Sequence, residues 1–264
     1  MLEIKNVYKT FNAGTVNEKV ALNGLNLTLE DGDFCTVIGG NGAGKSTMLN
    51  AVAGVWPVDS GSITIDGVDV TAMPEYKRAQ FIGRVFQDPM MGTAPDMQIE
   101  ENMALALRRG QKRTFRWQIT RQERALFQEK LKLLGLGLED RMTSKVGLLS
   151  GGQRQALTLL MASLQQPKLL LLDEHTAALD PATAAKVLEL SDRIVAENHL
   201  TALMITHNMT DAIRHGNRLI MMNNGQIVLD ISGAEKQKLT KAELLERFAV
   251  STGVQEETDS LILS

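Results

Sequence analysis

The stretch GGNGAGKSTMLN, at positions 39–50, has four glycines in its first six residues, followed by a lysine and two hydroxyl residues. It comes directly after FCTVI, an apolar run that predicts a buried strand. Glycine weakens regular elements, so this cluster indicates that the backbone itself must approach something closely. The spacing of Gly39, Gly44, Lys45 and Ser46 fits the phosphate-binding pattern G-x-x-x-x-G-K-[ST].

A phosphate group explains this composition. Bare N–H groups can surround an anion, and the N-terminus of the following helix, which we expect to start near Lys45, adds positive potential. Lys45 would reach the outer phosphates of a nucleoside triphosphate, and the Ser46 hydroxyl would ligate Mg²⁺. The alternative is a glycine-rich turn that binds nothing, but the order strand, loop, helix favours ATP. The loop residues expected to contact the nucleotide are Gly39, Gly40, Asn41, Gly42, Ala43, Gly44, Lys45, Ser46 and Thr47.

Composition limits the remaining possibilities. The 264 residues suffice for one large domain or two small ones, and 44% of them are apolar. A net charge of −3 argues against a nucleic-acid binder driven by bulk charge. The single cysteine, Cys35, cannot form an internal disulfide, which fits a reduced, cytoplasmic setting. No apolar run approaches twenty residues and the N-terminus does not look like a signal peptide, so we expect no membrane-spanning segment.

Alternation of strand and helix patterns predicts an α/β fold with a parallel sheet. Asp66-Gly67 and Asn224-Gly225 each separate two strand-like segments and predict hairpins. Residues 99–134 have a helical pattern. Within it, positions 108–124 carry seven Arg or Lys residues and one acid, Glu123. This basic segment is either a solvated helical face or a surface near anionic lipid or an acidic partner.

Two adjacent acids follow the apolar run KLLLL. Asp173 and Glu174 would lie at the carboxyl edge of the sheet, beside the phosphate-binding loop. Asp173 can hold the Mg²⁺ shell, and Glu174 can polarise a water for attack on the γ-phosphate. Neighbouring strand residues point to opposite faces, which suits two roles. The alternative is a pair of solvated acids at a strand end.

A second possible anion site lies in LSGGQRQ, at positions 149–155. Ser150, Gly151 and Gly152 open an amphipathic helix, so a hydroxyl and bare N–H groups coincide with a helix N-terminus. Taken alone, this segment is only a helix N-cap, where serine is favoured. Two phosphate sites in one chain exceed what one ATP needs.

Taken together, these motifs resemble those of the ATP-binding subunits of ABC transporters, and the resemblance covers nearly the whole chain. GGNGAGKST looks like the Walker A loop, LSGGQ is the family signature and LLLLDE resembles Walker B. VFQDP supplies the Q-loop glutamine, Gln87; AALD, ending at Asp180, resembles the D-loop; and MITHN supplies the switch histidine, His207. The motifs occur in the family's order, and LSGGQ with these flanks is highly specific.

The resemblance implies a P-loop NTPase (RecA-like) parallel-sheet core with an antiparallel β subdomain and an inserted α-helical subdomain. We expect residues 1–264 to form a single ABC ATPase domain. Its expected parts are the core with the β subdomain at 1–90 and 160–232, the helical subdomain with the signature at 91–159, and a short C-terminal helix and tail at 233–264.

The family pattern also assigns roles to residues. Two subunits pack head to tail, and each ATP lies between one P-loop and the partner's signature. The residues implied to contact the other protomer's ATP are Ser150, Gly151, Gly152, Gln153 and Asp180. Gln87 would sense Mg²⁺ and the attacking water, and His207 would contact the γ-phosphate and orient Glu174. The implied catalytic set is Glu174, His207, Gln87 and Lys45, and the implied Mg²⁺ set is Ser46, Gln87 and Asp173.

Several positions leave alternatives open. Phe11 matches the aromatic residue that stacks on adenine, whereas Tyr8 or simple strand packing are the alternatives. The family usually has proline after the Walker B glutamate, but this chain has His175. That histidine is either a tolerated substitution or a group that tunes Glu174 or the D-loop. His199 and His215 match no motif, so we expect them on the surface.

The resemblance implies an ATPase that drives a separate membrane permease from the inner face of the cell membrane. DEHTAALDP and the segment at 86–106 resemble a bacterial group that works with an extracytoplasmic binding protein, which favours import. The alternatives are an exporter or lipoprotein-release motor and a soluble assembly-type ATPase. We expect the permease to contact DPMMGTAPDMQIEENM through Met90, Met91 and Met97, unless these methionines are buried core residues.

Overall fold

The structure, a computed structural model, describes residues 1–111 and 119–252. The strands are β1 Leu2–Phe11, β2 Lys19–Leu29, β3 Phe34–Ile38, β4 Ser60–Ile65, β5 Val68–Asp69, β6 Ile82–Val85, β7 Leu169–Asp173, β8 Ala202–Ile205, β9 Arg218–Asn223 and β10 Gln226–Ser232. The α-helices are α1 Lys45–Ala53, α2 Glu75–Arg78, α3 Ile99–Leu107, α4 Arg121–Lys132, α5 Gly151–Ser163, α6 Pro181–Glu197, α7 Met209–Arg214, α8 Gly233–Lys238 and α9 Lys241–Thr252.

A six-stranded sheet forms the centre, in the order β10-β9-β3-β8-β7-β6. The strands from β9 to β6 run parallel, and β10 pairs antiparallel at one edge. Alternate residues of the apolar strands enter opposite layers: Leu171 packs with α1, whereas Leu170 and Leu172 pack with α5 and α6. Burial on both faces explains why these strands read as continuous apolar runs. The predicted α/β fold is confirmed.

A separate four-stranded antiparallel sheet, in the order β2-β1-β4-β5, packs on the α1 side of the core. Asp66 and Gly67 have φ of 51° and 77°, and Asn224 and Gly225 have φ of 47° and 76°. Positive φ at both central residues is typical of type I′ turns, which join twisted antiparallel strands. Both predicted hairpins are therefore confirmed.

The helical attachment is built by α3, α4 and α5 around the fully buried Phe127. In the basic segment, Arg124 pairs with the buried Glu100, Arg108 pairs with Glu123, and Arg109 donates to the carbonyl of Ala162. Part of this basic charge thus binds groups of the chain itself, while positions 112–118 lie outside the described residues.

Two boundaries of the predicted parts lie in α5 and at the C-terminal segment. Helix α5 includes residue 159 and contributes to both the sheet layer and the helical cluster, so the division of the chain at that point stays a prediction. At the C-terminus, the spacing of Thr240 and Glu243 predicts a capping box. The structure confirms it, because the Thr240 hydroxyl accepts from the Glu243 N–H and the Glu243 carboxylate accepts from the Thr240 N–H. The expected tail at 253–264 lies outside the described residues. In the part that is described, no helix combines the length and apolar character needed to cross a bilayer.

Candidate nucleotide-binding site

The glycine-rich loop lines a cavity of about 360 Å³ between the two sheets. Its lining residues are Phe11, Lys19, Ala21, Asn41, Gly42, Ala43, Gly44, Lys45, Ser46, Thr47, Glu174 and His207. Gly44 has φ of 102°, and a Cβ there would lie 2.5 Å from the carbonyl oxygen of Ala21. Only glycine fits this turn, from which α1 starts at Lys45 as predicted.

Lys45 is held in the loop by the loop's own carbonyl groups. Its Nζ donates to the carbonyl oxygens of Gly39 at 2.6 Å and Gly40 at 3.1 Å, and the residue is only 5% exposed. Burial lowers the pKa of this ammonium group, and the negative charge of Glu174 opposes that effect. A buried cation with only neutral acceptors is a strong attractant for an anionic ligand such as a triphosphate.

Glu174 and His207 face the same cavity. The carboxylate Oε1 of Glu174 lies 2.6 Å from Nε2 of His207. The prediction that Asp173 and Glu174 alternate along one strand is wrong, because β7 ends at Asp173 and Glu174 has φ of 45°. This left-handed turn places Glu174 in the cavity with Lys45. A carboxylate paired with an imidazole can accept and orient a water's proton.

The predicted Mg²⁺ residues are divided between two cavities. Ser46 lines the loop cavity, whereas Asp173 and Gln87 line a neighbouring cavity of about 660 Å³. Among the described residues, no three acidic, cysteine or histidine side chains are grouped to hold a metal by themselves. A hydroxyl and one carboxylate are hard oxygen donors, and Mg²⁺ usually binds to one or two such groups together with substrate phosphates. The residues therefore fit a Mg²⁺ that arrives with a nucleotide.

The aromatic residue at the cavity is Phe11 and not Tyr8. Phe11 lines the cavity and makes an edge-to-face contact with Trp56, with ring centroids 5.0 Å apart. Tyr8 instead lies beside Gly24. Lys19, which the sequence reasoning missed, has its Nζ 2.9 Å from where a Cβ of Gly42 would lie. No motif includes Lys19, and only its position at the start of β2, across from Phe11, brings it to the loop.

The signature residues lie elsewhere. Ser150 caps α5: its hydroxyl accepts from the Gln153 N–H at 3.3 Å, and Gln153 Oε1 accepts from the Ser150 N–H at 3.1 Å. Asp180 caps α6, because its carboxylate accepts from the Thr183 N–H at 3.1 Å. None of Ser150, Gly151, Gly152, Gln153 and Asp180 lines the loop cavity, and Ser150 is exposed. One chain thus holds a phosphate loop and, apart from it, an exposed helix N-terminus.

Comparison with known proteins decides the family. Residues 22–177 match the family described as ABC transporter, and this range includes the glycine-rich loop, Gln87, the signature and both Walker B acids. The chain belongs to the ABC transporter family.

Individual relatives agree with this assignment. The ABC ATPase is 46% identical to the tyrosine transport ATP-binding protein of Clostridioides difficile, over 94% of this chain and 98% of that protein. It is 34% identical to the methionine import ATP-binding protein MetN 2 of Enterococcus faecalis, over 99% of this chain and 72% of that protein. Among solved structures, the ATP-binding cassette MJ0796, a dimer in a post-hydrolysis state bound to ADP and Pi, matches with a TM-score of 0.72 and 30% identity, over 88% of this chain and 98% of that one. The protein is an ATP-binding subunit of a transporter and an ATPase.

Two histidines of the ABC ATPase, His175 and His215, are buried and do not line the loop cavity. His175 is 2% exposed, and its Nε2 lies 2.9 Å from the Ser191 hydroxyl of α6. Burial, and secondarily the nearby His215, lowers the pKa of His175 to about 4, so it is neutral near pH 7. His175 therefore joins the D-loop turn to α6.

The prediction that His215 is a surface residue is wrong. It is 4% exposed, and its Nδ1 lies 2.6 Å from a carboxylate oxygen of Asp192, the residue next to Ser191. His199, by contrast, is exposed as expected.

Proposed function

We propose that this ABC ATPase works as a homodimer that binds two ATP and two Mg²⁺ between its subunits and powers solute import through a separate permease. The observation that carries the proposal is the separation of the glycine-rich loop from the exposed signature. Each ATP would lie on one subunit's loop and be completed by Ser150, Gly151, Gly152, Gln153 and Asp180 of a second copy. The dimeric MJ0796 cassette supports this arrangement.

In this dimer, the chain's own groups divide the work of hydrolysis. When ATP binds, Lys45 stops donating to the loop carbonyls and donates to the outer phosphate oxygens. These oxygens are better acceptors than the carbonyls because they are charged. Glu174 orients the attacking water. His207 breaks its contact with Glu174 and then contacts the γ-phosphate. The Phe11 ring supports the adenine. Mg²⁺, when bound by Ser46 and Asp173 with Gln87 nearby, neutralises charge on the phosphates.

Import is supported by similarity to import proteins, one of which is the methionine import ATP-binding protein of Enterococcus faecalis. Exporters, lipoprotein-release motors and soluble assembly ATPases remain the alternatives to test. The first solute to test is tyrosine, since the 46% identical relative is a tyrosine transport protein. The permease would span the membrane, an extracytoplasmic protein would deliver the solute, and this subunit would bind to the cytoplasmic face without nucleic acid.

The permease would contact the neighbouring cavity that holds Gln87. Met91 lines this cavity and is 68% exposed, and Met90 is 43% exposed. Met97 is half-buried, and its carbonyl accepts from the Val146 N–H. Flexible, unbranched methionine side chains suit contact with a short partner helix. Because the segment follows Gln87 directly, a change at the γ-phosphate can shift this contact.

Cross-linking tests this placement. Met91→Cys and Met97→Cys, each in a Cys35→Ser background, should couple to cysteines in cytoplasmic loops of the co-expressed permease, with yields that change when ATP is trapped. Arg121→Cys, on the exposed end of the basic segment, is the matched control and should not couple. If only the control reacts, the permease binds another surface.

A transport assay tests the direction. Membrane vesicles with the ATPase on the inside should take up tyrosine only when ATP is also inside. ATP-driven efflux from these vesicles would contradict import.

A further inference from the structure

A side chain outside the family motifs lies among the predicted Mg²⁺ residues. Arg84 is on β6, the edge strand next to β7. Its Nη2 donates to a carboxylate oxygen of Asp173 at 3.1 Å and to Oδ1 of Asn50 at 2.8 Å. The side chains of Arg84 and Asp173 are only 13% and 18% exposed. Solvent therefore screens this ion pair less than it would a surface pair.

The guanidinium group also connects the three motifs expected around the metal. Asn50 uses its amide to donate to the carbonyl oxygen of Ser46 at 2.8 Å. The guanidinium carbon lies 4.6 Å from the ring centroid of Phe86, the residue before Gln87. One cation is thus joined to Asp173 directly, to the Ser46 backbone through Asn50, and to the Q-loop through Phe86.

Arg84 and Mg²⁺ are both attracted to the carboxylate of Asp173. Without a metal, Arg84 neutralises that carboxylate and fixes its position. It also lowers the negative potential that a bare triphosphate would meet. When Mg²⁺ supplies positive charge beside the same carboxylate, the help from Arg84 becomes redundant and the two cations repel each other. The Nε of Arg84 is buried without a hydrogen-bond partner among the described residues, so the group is not fully satisfied where it lies.

We propose that Arg84 is a positioning residue that holds Asp173 in place of the metal before Mg²⁺ and ATP bind, and so sets how strongly Mg²⁺ increases nucleotide affinity. The inference rests on the proposed Mg²⁺ site. By thermodynamic linkage, removing the charge at Arg84 weakens metal-free nucleotide binding and increases the effect of Mg²⁺ by the same factor. A purely structural role would instead weaken binding equally with and without Mg²⁺.

The test measures the affinity for mant-ATP, a fluorescent ATP analogue, in EDTA and in saturating Mg²⁺. Arg84→Gln and Arg84→Met both remove the charge, and methionine keeps apolar packing against Phe86. In EDTA both should bind about fivefold more weakly than the wild type, and in Mg²⁺ within about twofold of it. Arg84→Lys should restore most of the metal-free affinity. Arg109→Gln is the matched control, because it removes a partly buried arginine that donates to the backbone carbonyl of Ala162 and not to Asp173.

Thermal unfolding identifies which variants fold, so that only folded proteins are compared. Equal loss of affinity in EDTA and in Mg²⁺ overturns the role of Arg84. A loss in EDTA but not in Mg²⁺ for the control Arg109→Gln overturns it as well. If the wild type itself binds the analogue equally well with and without Mg²⁺, the proposed metal site fails, and the inference fails with it.

Discussion

The glycine-rich loop and the signature are both glycine-rich helix N-termini, yet the chain builds them differently. The loop encloses a cavity and buries Lys45 against its carbonyls. Within the described part of the chain, the signature leaves Ser150 exposed and bonded only to its own helix, through Gln153 and Arg154. An anion site needs convergent donors from several elements, and only the loop has them in one chain. The difference indicates that the signature serves a ligand held by another molecule, and the following predictions test that contrast.

The largest effect is expected from Lys45→Ala. Removing the buried ammonium deletes the main cation of the loop cavity, so affinity for ATP should fall by roughly a hundredfold or more. Isothermal titration of the isolated subunit measures it. Lys19→Ala, an exposed lysine on the same cavity, is the control and should cost less. Equal losses from the two lysines would mean that the loop has no special site.

Ser150→Asp and Ser150→Asn form a matched pair that tests the signature. Both residues cap helices well, so α5 should remain intact in each variant. Only aspartate places a negative charge where the partner's γ-phosphate should lie, and ATPase activity should fall by roughly a hundredfold. Asparagine should cost far less.

Affinity of the isolated subunit for ATP is the internal control for this pair. It should be unchanged in both variants, because Ser150 does not line the loop cavity. A loss of ATP binding by the monomer in Ser150→Asp would mean that the signature serves its own loop after all.

The contact by which His175 joins the turn after Glu174 to α6 is predicted to be sensitive to acid. Folding holds the pKa of His175 at about 4, below its ordinary value of 6.5. Below pH 6.5 the unfolded chain therefore binds more protons, and stability should fall by up to about 3 kcal/mol as the pH approaches 4. His175→Gln keeps an N–H donor towards Ser191 and should lose this part of the pH dependence.

Urea denaturation at pH 4.5, 5.5 and 7 measures this slope. His199→Gln, which changes an exposed histidine, should keep the wild-type slope. An unchanged slope in His175→Gln would mean that His175 does not stay neutral in the folded protein.

The smallest effect concerns Gly152. A Cβ there would lie 2.2 Å from the methyl group of Thr183, at the start of α6. Gly152→Ala should therefore cost about 1–2 kcal/mol of stability, although alanine normally favours a helix. Thr183→Ser removes that methyl and should restore most of the loss. ATPase activity should recover together with stability in the double variant, since the new Cβ points towards Thr183; activity that stays low would mean that the bare glycine is also needed at the partner's phosphate.

The sequence predicted those features that depend on local patterns. The leucine run before Asp173, the helix start at Lys45 and the serine N-cap at Ser150 all follow from neighbouring residues, and the structure has each of them. The features it did not predict are contacts between distant residues. His215 is buried because Asp192, 23 positions away, supplies its partner. Arg84 meets Asn50 and Asp173 only because β6 pairs with β7 beside α1.

The turn at Glu174 was missed for a different reason. A positive φ is uncommon for residues other than glycine, so an apolar run ending in two acids gives no local sign of it.

The most direct test of the shared site is the mass of Glu174→Gln measured by light scattering with saturating ATP and Mg²⁺. Without the catalytic carboxylate, ATP should stay intact between two subunits, so the mass should rise from 28.9 kDa to about twice that value. Adding Ser150→Asp to this variant should return the mass to that of one chain, whereas adding Ser150→Asn should leave the dimer. A Glu174→Gln protein that stays monomeric at saturating ATP, or a dimer that tolerates Ser150→Asp, would contradict the proposal that two copies share each nucleotide.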